Sequence, residues 1–285
     1  MKDVSNAMRA QILTAAVPYI KQYTDQYVVV KYGGNAMIDV ELKKSVMKDL
    51  LLLQLVGVKV VLVHGGGPAI NSTLEAMQIE SHFANGLRVT DEATMDVVQM
   101  VLAGKVNTGL VADLTDLGGK AIGLCGVDGN MIQVHKQNEE LGYVGSVDTI
   151  DTSIIHDVIS RGYIPVISSI GMGADGKTYN INADTVAAKI AGALKAETMV
   201  AMTNIDGVLR DVHDPSSLIS KITMAEADQL KAEGIIAGGM IPKVDCCLEA
   251  IKSGAQKVFI INGEIPHAIL IELLTDEGLG TMFVA

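Results

Sequence analysis

The 285-residue chain is long enough for one large α/β domain or two closely joined lobes, and 49% hydrophobic with 19% charged residues describes a globular rather than a disordered protein. A formal net charge of −11 argues against a general nucleic-acid binder, which needs a basic face, yet leaves room for an anionic small substrate met by a few local cations. No apolar run approaches the ~20 residues of a membrane span, and the N-terminus, with Lys2, Asp3 and Arg9, lacks the apolar stretch of a secretory signal. Three cysteines without CxxC or ligand spacing, Cys125, Cys246 and Cys247, are expected as reduced thiols in a cytoplasmic protein.

In chain order, residues 4–23 come first. Met8, Ile12, Ala15 or Ala16, Tyr19 and Tyr23 recur at three- and four-residue spacing, which predicts an amphipathic helix. Pro18 lies inside it, so a kink is expected there. Such a helix either packs on its own domain or joins subunits. Beyond it, strand, glycine turn and helix repeat. Strands are predicted at 27–31, 59–63, 121–124, 164–167, 199–202 and 258–261, and helices at 40–55, 69–77, 92–103, 152–159, 183–194, 225–231 and 244–252. Near-continuous apolar strands alternating with helices imply an α/β fold whose mostly parallel sheet is covered on both faces. Residues 128–147 break the alternation and read as hairpins, and Tyr179–Ile181 as a short strand after a Gly173–Gly176 turn. Without a linker or repeat, one continuous sheet is expected, with a ligand cleft between its halves.

Five segments can carry chemistry. Lys31-Tyr32-Gly33-Gly34 ends the first strand, where glycines let the backbone approach an anion and the lysine adds a compact cation. His64-Gly65-Gly66-Gly67-Pro68 follows the second strand and suits a nest of amides at a helix start; it is neither a Walker A loop nor GxGxxG. For His64 itself a packed strand-end histidine is favoured. Arg88, in Gly86-Leu87-Arg88-Val89-Thr90, is a surface charge or a fixed fork for a carboxylate, and spacing alone favours the surface. In Asn180-Ile181-Asn182-Ala183-Asp184, Asn182 or Asp184 can cap the next helix, or a carboxylate there can orient lysines. Gly238-Gly239-Met240-Ile241-Pro242-Lys243 sets a lysine beside a glycine turn and a helix N-terminus. Two lysines, three glycine turns, an arginine and an aspartate at strand ends suit phosphoryl transfer, where catalysis is positioning and charge stabilisation.

HGGGP, NGLRVT, SSIG…NINAD, TNIDGV and GGMIPKV, in this order over residues 25–285, make the chain resemble the amino acid kinase family. NGLRVT and NINAD point to the branch that phosphorylates the γ-carboxylate of N-acetyl-L-glutamate with ATP and Mg2+, the second step of arginine biosynthesis. The resemblance implies a three-layer α/β/α sandwich of the carbamate kinase-like type. Residues 1–24 would be an oligomerisation helix, and 25–285 the kinase domain, with an acid-binding lobe over about 25–180 and an ATP-binding lobe over about 181–285. By the same resemblance Lys31 and Lys243 flank the transferred phosphoryl group, Gly34 and Gly66 offer it amides, and Asp184 holds both lysines. Gly66, Gly67, Arg88 and Asn180 bind the acid, Arg88 taking the α-carboxylate. Thr203, Asp206, Gly207, Val208, Gly239 and Met240 border ATP, and no protein metal ligand is implied. Thr203-Asn204-Ile205 departs from the Thr-Asp-Val of many relatives, a change on the nucleotide side.

The N-terminal helix and the stretch from His267 to Thr281 resemble those of arginine-inhibited members, which are hexameric trimers of dimers. That likeness implies an arginine effector near Tyr19, Glu272 and Gly278. Some photosynthetic members also bind a PII signalling protein, which this sequence does not decide. The alternatives are another amino acid kinase, such as a carbamate or glutamate 5-kinase, or a non-catalytic sensor on the same fold. Acceptance of unacetylated glutamate would favour the former; the presence of Lys31, Lys243 and Asp184 stands against the latter.

Overall fold

Alternating burial along six apolar strands builds the middle of the molecule. The computed structural model describes residues 5–84 and 86–285, without the side chain of Asn35; Val4 of the expected N-terminal helix and Asn85 of the NGLRVT segment lie outside them. The elements are, in order, α1 (Asn6–Ala15), α2 (Val17–Tyr23), β1 (Tyr27–Tyr32), α3 (Val40–Leu55), β2 (Lys59–His64), α4 (Gly67–Ala76), β3 (Phe83–Ala84), β4 (Leu87–Arg88), α5 (Glu92–Gln99), α6 (Asn107–Asp116), β5 (Ala121–Cys125), β6 (Ile132–Lys136), β7 (Gly145–Ile150), α7 (Ser153–Ser160), β8 (Ile164–Ser168), β9 (Ile170–Gly173), β10 (Thr178–Asn180), α8 (Ala183–Ala193), β11 (Thr198–Thr203), β12 (Lys221–Thr223), α9 (Met224–Ala232), α10 (Met240–Lys252), β13 (Lys257–Asn262), α11 (Ala268–Leu274) and β14 (Thr281–Val284).

Eight strands pair in the order β12-β14-β13-β11-β1-β2-β8-β5. Every pairing in this sheet is parallel except β13 with β14. Successive side chains of a strand point to opposite faces. Val28, Val30 and Tyr32 therefore join Val60, Leu62, Val200 and Phe259 in one core, under α3, α6 and α11. Val29 joins Val61, Val63, Met199 and Val258 in the other, under α7, α8 and α10. This is the expected α/β/α sandwich, and the alternation sends Lys31 to the α8–α10 side.

Three expectations change. The strands do not form one continuous sheet: β10-β9-β6-β7 make a second sheet and β3-β4 a separate hairpin. Gly126 and Gly171 permit the crossing between sheets, since a Cβ on Gly126 would sit 2.1 Å from the Ile170 carbonyl. The helix expected at 92–103 runs on through a π-helical turn, Met100–Val106, into α6. The resulting run, Glu92–Asp116, has 25 residues and contains an 18-residue window of mean hydropathy 1.2, so among the described residues one helix does reach the length and composition of a membrane span. Val97, Val98, Val101, Leu102, Leu110 and Leu114 within it are buried in the protein's own cores, which accounts for that composition. Lastly, α11, β12 and β14 were not anticipated as elements.

At the N-terminus α1 and α2 meet at Ala16, and Pro18 lies in the first turn of α2, where its missing N–H costs no helical bond. No residue of α1 is buried, and Met8, Ile12, Leu13 and Val17 are exposed.

Candidate phosphoryl-transfer site

Parallel strands place their C-terminal ends along one edge of the sheet. The chain leaves β1 towards β2 and leaves β11 towards β13, so a crevice opens outside β1 and β11, where such folds bind ligands. Lys31 stands at this edge, and its Nζ lies 3.0 Å from Asp184 Oδ1 in the first turn of α8. Asn182 caps α8 by accepting from the Asp184 N–H at 2.8 Å, which leaves the Asp184 carboxylate for the lysine. Gly34 follows at φ +70°, a conformation that favours glycine, with open space around it.

On the β2 side, Gly66 and Gly67 open α4. A Cβ on Gly66 would fall 2.6 Å from the Leu102 side chain of the π-helical turn, so a larger residue there would have to displace it. Among the described residues no acceptor pairs with the N–H of Gly66 or Gly67. Both glycines line a 170 Å³ cavity together with Arg88 and Asn180.

Arg88 overturns the reading from spacing alone. It is 7% exposed, because Leu87 and Arg88 pair with Phe83 and Ala84 in a hairpin folded over the cavity. Its guanidinium donates to Asn71 Oδ1 at 2.6 Å and to Ser81 Oγ, and lies 4.7 Å from the Phe83 ring centre. Burial lowers its pKa. Among the described residues no carboxylate pairs with it, so a buried cation faces a cavity with donors to spare. Asn180 lies alongside, donating to Thr90 Oγ1 at 3.2 Å.

A 650 Å³ cavity continues from there between the β6–β7 hairpin, α8 and α10, and Asp184, Lys189, Gly239 and Lys243 line it. Lys243 sits in the first turns of α10, at the positive end of the helix dipole, where Met240 and Ile241 already donate their N–H groups to the carbonyls of Ala237 and Gly238. Asp184 pairs with Lys31; no ion pair joins it to Lys243 among the described residues. Beyond Met240 a 400 Å³ cavity is lined by Asp206, Gly207 and Val208.

The amino acid kinase family pattern matches residues 26–262. The chain belongs to the amino acid kinase family. It is 52% identical to the acetylglutamate kinase of Brachyspira hyodysenteriae over 285 residues, 99% of each chain. It is 53% identical to that of Clostridium kluyveri over 275 residues, 96% of this chain and 97% of the relative. Among solved structures, the N-acetylglutamate synthase of Neisseria gonorrhoeae with coenzyme A and N-acetyl-glutamate superposes at a TM-score of 0.84 and 26% identity. That match covers 97% of this chain and 63% of the synthase. Carbamate kinase of Giardia lamblia shares the fold, at a TM-score of 0.66 and 17% identity over 91% of this chain and 98% of the relative.

At the 400 Å³ cavity of this amino acid kinase, Asp206 accepts from Asn262 at 2.8 Å. Gly207 has no room for a side chain, since a Cβ would meet Thr281 Oγ1 at 2.5 Å. The Val208 N–H is taken by Thr281 Oγ1 at 2.9 Å, and Val208 is buried. Thr203 folds its hydroxyl back on Ile205. Near the C-terminus, Glu272 and Gly278 are neighbours. Glu272 Oε2 accepts from the amides of Leu279 at 2.6 Å and Gly280 at 3.0 Å, and burial raises its pKa against those two bonds. Gly278 touches the same carboxylate, while Tyr19 donates to Asp276.

Sequence reasoning missed Asn71 and Ser81, the residues that hold Arg88. Asn71 follows Pro68 on the exposed start of α4, where a polar side chain carries no signal. Ser81 is an unremarked loop residue. Lys189, paired with Glu249 at 2.7 Å on the cavity wall, was also passed over.

Proposed function

We propose that the chain transfers the γ-phosphoryl group of MgATP to the γ-carboxylate of N-acetyl-L-glutamate, forming an acyl phosphate. The observation that carries this reading is Arg88: a buried guanidinium without a carboxylate partner among the described residues, beside the free amides of Gly66 and Gly67. It would clamp the α-carboxylate bidentately, with Asn180 alongside. The γ-carboxylate would then extend towards Lys31, as the relatives' name and the ligand of the gonococcal synthase suggest.

Two anions must meet here, so cations at short range in a water-poor cleft count for more than in solution. Lys31, braced by Asp184, would act from one side and Lys243 from the other, with the Gly34 and Gly66 amides on the phosphoryl oxygens. Thr203, Asp206, Gly207, Gly239 and Met240 would border the nucleotide in the C-lobe, while residues of about 25–180 hold the acid. The Val208 amide, already bonded, would support the loop rather than touch ATP. Mg2+ would arrive with the nucleotide and supply further positive charge against its phosphates.

We further propose a cytoplasmic homo-oligomer in which α1 and α2 join dimers into a hexamer, for which the exposed apolar residues of α1 speak. Arginine would bind beside Glu272, whose Oε1 accepts no hydrogen bond among the described residues, and inhibit. The test is an ADP-release assay with MgATP against N-acetylglutamate, glutamate, aspartate and carbamate, with and without arginine. Turnover confined to N-acetylglutamate is expected. Equal turnover of glutamate would move the assignment to another amino acid kinase, and no turnover on any acid would move it to a sensor.

A further inference from the structure

His64 is fully buried at the end of β2, and its two ring nitrogens have different partners. Nε2 lies 3.0 Å from Asn107 Nδ2, and Nδ1 lies 2.8 Å from the carbonyl of Gly65. The orientation of the Asn107 amide is fixed from outside this pair: Nδ2 also donates to the Val166 carbonyl at 2.8 Å, with the Leu124 carbonyl at 3.4 Å. A flipped amide would set its oxygen against those carbonyls. Asn107 Nδ2 is a donor only, so Nε2 accepts; the Gly65 carbonyl is an acceptor only, so Nδ1 carries the proton and donates. Burial lowers the pKa of the ring to about 4, which keeps it neutral and holds this tautomer at neutral pH.

The peptide joining Gly65 to Gly66 is planar and trans, so its N–H points opposite to its C=O. A carbonyl held towards His64 therefore turns the Gly66 N–H away from His64, and Gly66 lines the cavity. The preceding peptide is anchored as well, since the Gly65 N–H donates to the Tyr32 carbonyl of β1 at 3.2 Å. Leu102 closes the other side of Gly66.

We infer that His64, oriented by Asn107, is a positioning residue that aims the Gly66 amide at the anion bound in the cavity. The ligand side of this inference rests on the function proposed above; the hydrogen-bond chain does not.

Asparagine and glutamine test it, because their amide nitrogens mimic Nδ1 and Nε2 of histidine in turn. His64→Asn keeps a donor for the Gly65 carbonyl and should retain kcat/KM within about threefold. His64→Gln keeps only the Nε2 position, and should lose about 10–100-fold, mostly in kcat, as a misdirected oxyanion donor does. Equal activities, or the reverse order, would overturn the inference. The ratio is read on whichever acid the unaltered chain turns over, so a wrong substrate assignment shows up separately. Histidine 15N chemical shifts of the unaltered protein give a second reading that needs neither variant to fold nor any turnover. His64 protonated at Nδ1 is expected; protonation at Nε2 would overturn the inference.

Discussion

Replacing Arg88 with methionine removes the guanidinium while keeping most of the buried volume. Two of its donors are spent on Asn71 and Ser81, and the rest face the cavity. A hydrogen bond to a charged group contributes about 1.5–3 kcal/mol. Two such bonds to one carboxylate are not fully additive, so about 3 kcal/mol is a fair value for the pair, which corresponds to a rise on the order of 100-fold in KM for the acid. Because the clamp would hold the non-reacting end of the substrate equally in ground and transition states, kcat should fall much less. The unliganded protein should lose little stability or gain some, since a buried cation without a counter-charge is a burden on the fold. Kinetics and thermal melts together check this. The melting shift given by N-acetylglutamate should largely vanish in Arg88→Met, and Arg88→Lys should recover only part of it, lacking the fork. A KM within threefold of the unaltered chain, with an undiminished melting shift, would refute the clamp.

Lys31→Ala and Lys243→Ala should each lower kcat by about 10²–10³, the usual effect of removing one well-placed electrostatic group; near-normal kcat in either folded variant would sink its role. Deleting residues 1–22 removes α1 and most of α2, and with them Tyr19. Sedimentation should then show dimers that no longer respond to arginine, whereas intact hexamers would rule out the linking role.

The sequence made the sheet's middle legible because its strands are short, β-branched and bounded by glycine. Helix α3 matches its expected bounds at 40–55, where periodicity and the Asp39 cap agree. The helix from Glu92 runs past its expected end at 103, through a π-helical turn, Met100–Val106, that contains Gly104. The glycine turns and lysines were legible as anion-binding chemistry, since residue type and spacing express it locally. The burial of Arg88 was not. It depends on a hairpin folding over a cavity whose far wall, Asn180, lies 92 positions further along the chain. Pairing of Lys31 with Asp184 across 153 positions is a product of topology in the same way.

Burial also sets two titrating groups against each other. In the folded chain His64 is pushed down to about 4 from an ordinary 6.5, by desolvation. Asp49 is pushed up to about 6 from 3.8, by desolvation that outweighs its 2.6 Å bond to His267 and the amides of Leu270 and Ile269. For His64 the unfolded chain binds the proton more readily, so its contribution to stability is complete above about pH 6.5 and is lost as pH falls towards 4. For Asp49 the folded chain holds the proton more readily. Its contribution is complete below about pH 4 and is lost as pH rises through 6. Each displacement is about two pH units, on the order of 3 kcal/mol, and the signs are opposite. Between about pH 4 and 6.5 they should nearly cancel. Asp49→Asn leaves His64 unopposed, so this variant should lose stability on acidification across that window by up to about 3 kcal/mol more than the unaltered chain. His64→Asn leaves Asp49 unopposed and should gain by a similar amount. Urea midpoints at fixed protein concentration, taken at each pH for all three chains, cancel the titrations they share. Parallel pH profiles for the two variants would show that burial does not displace these groups in opposite directions.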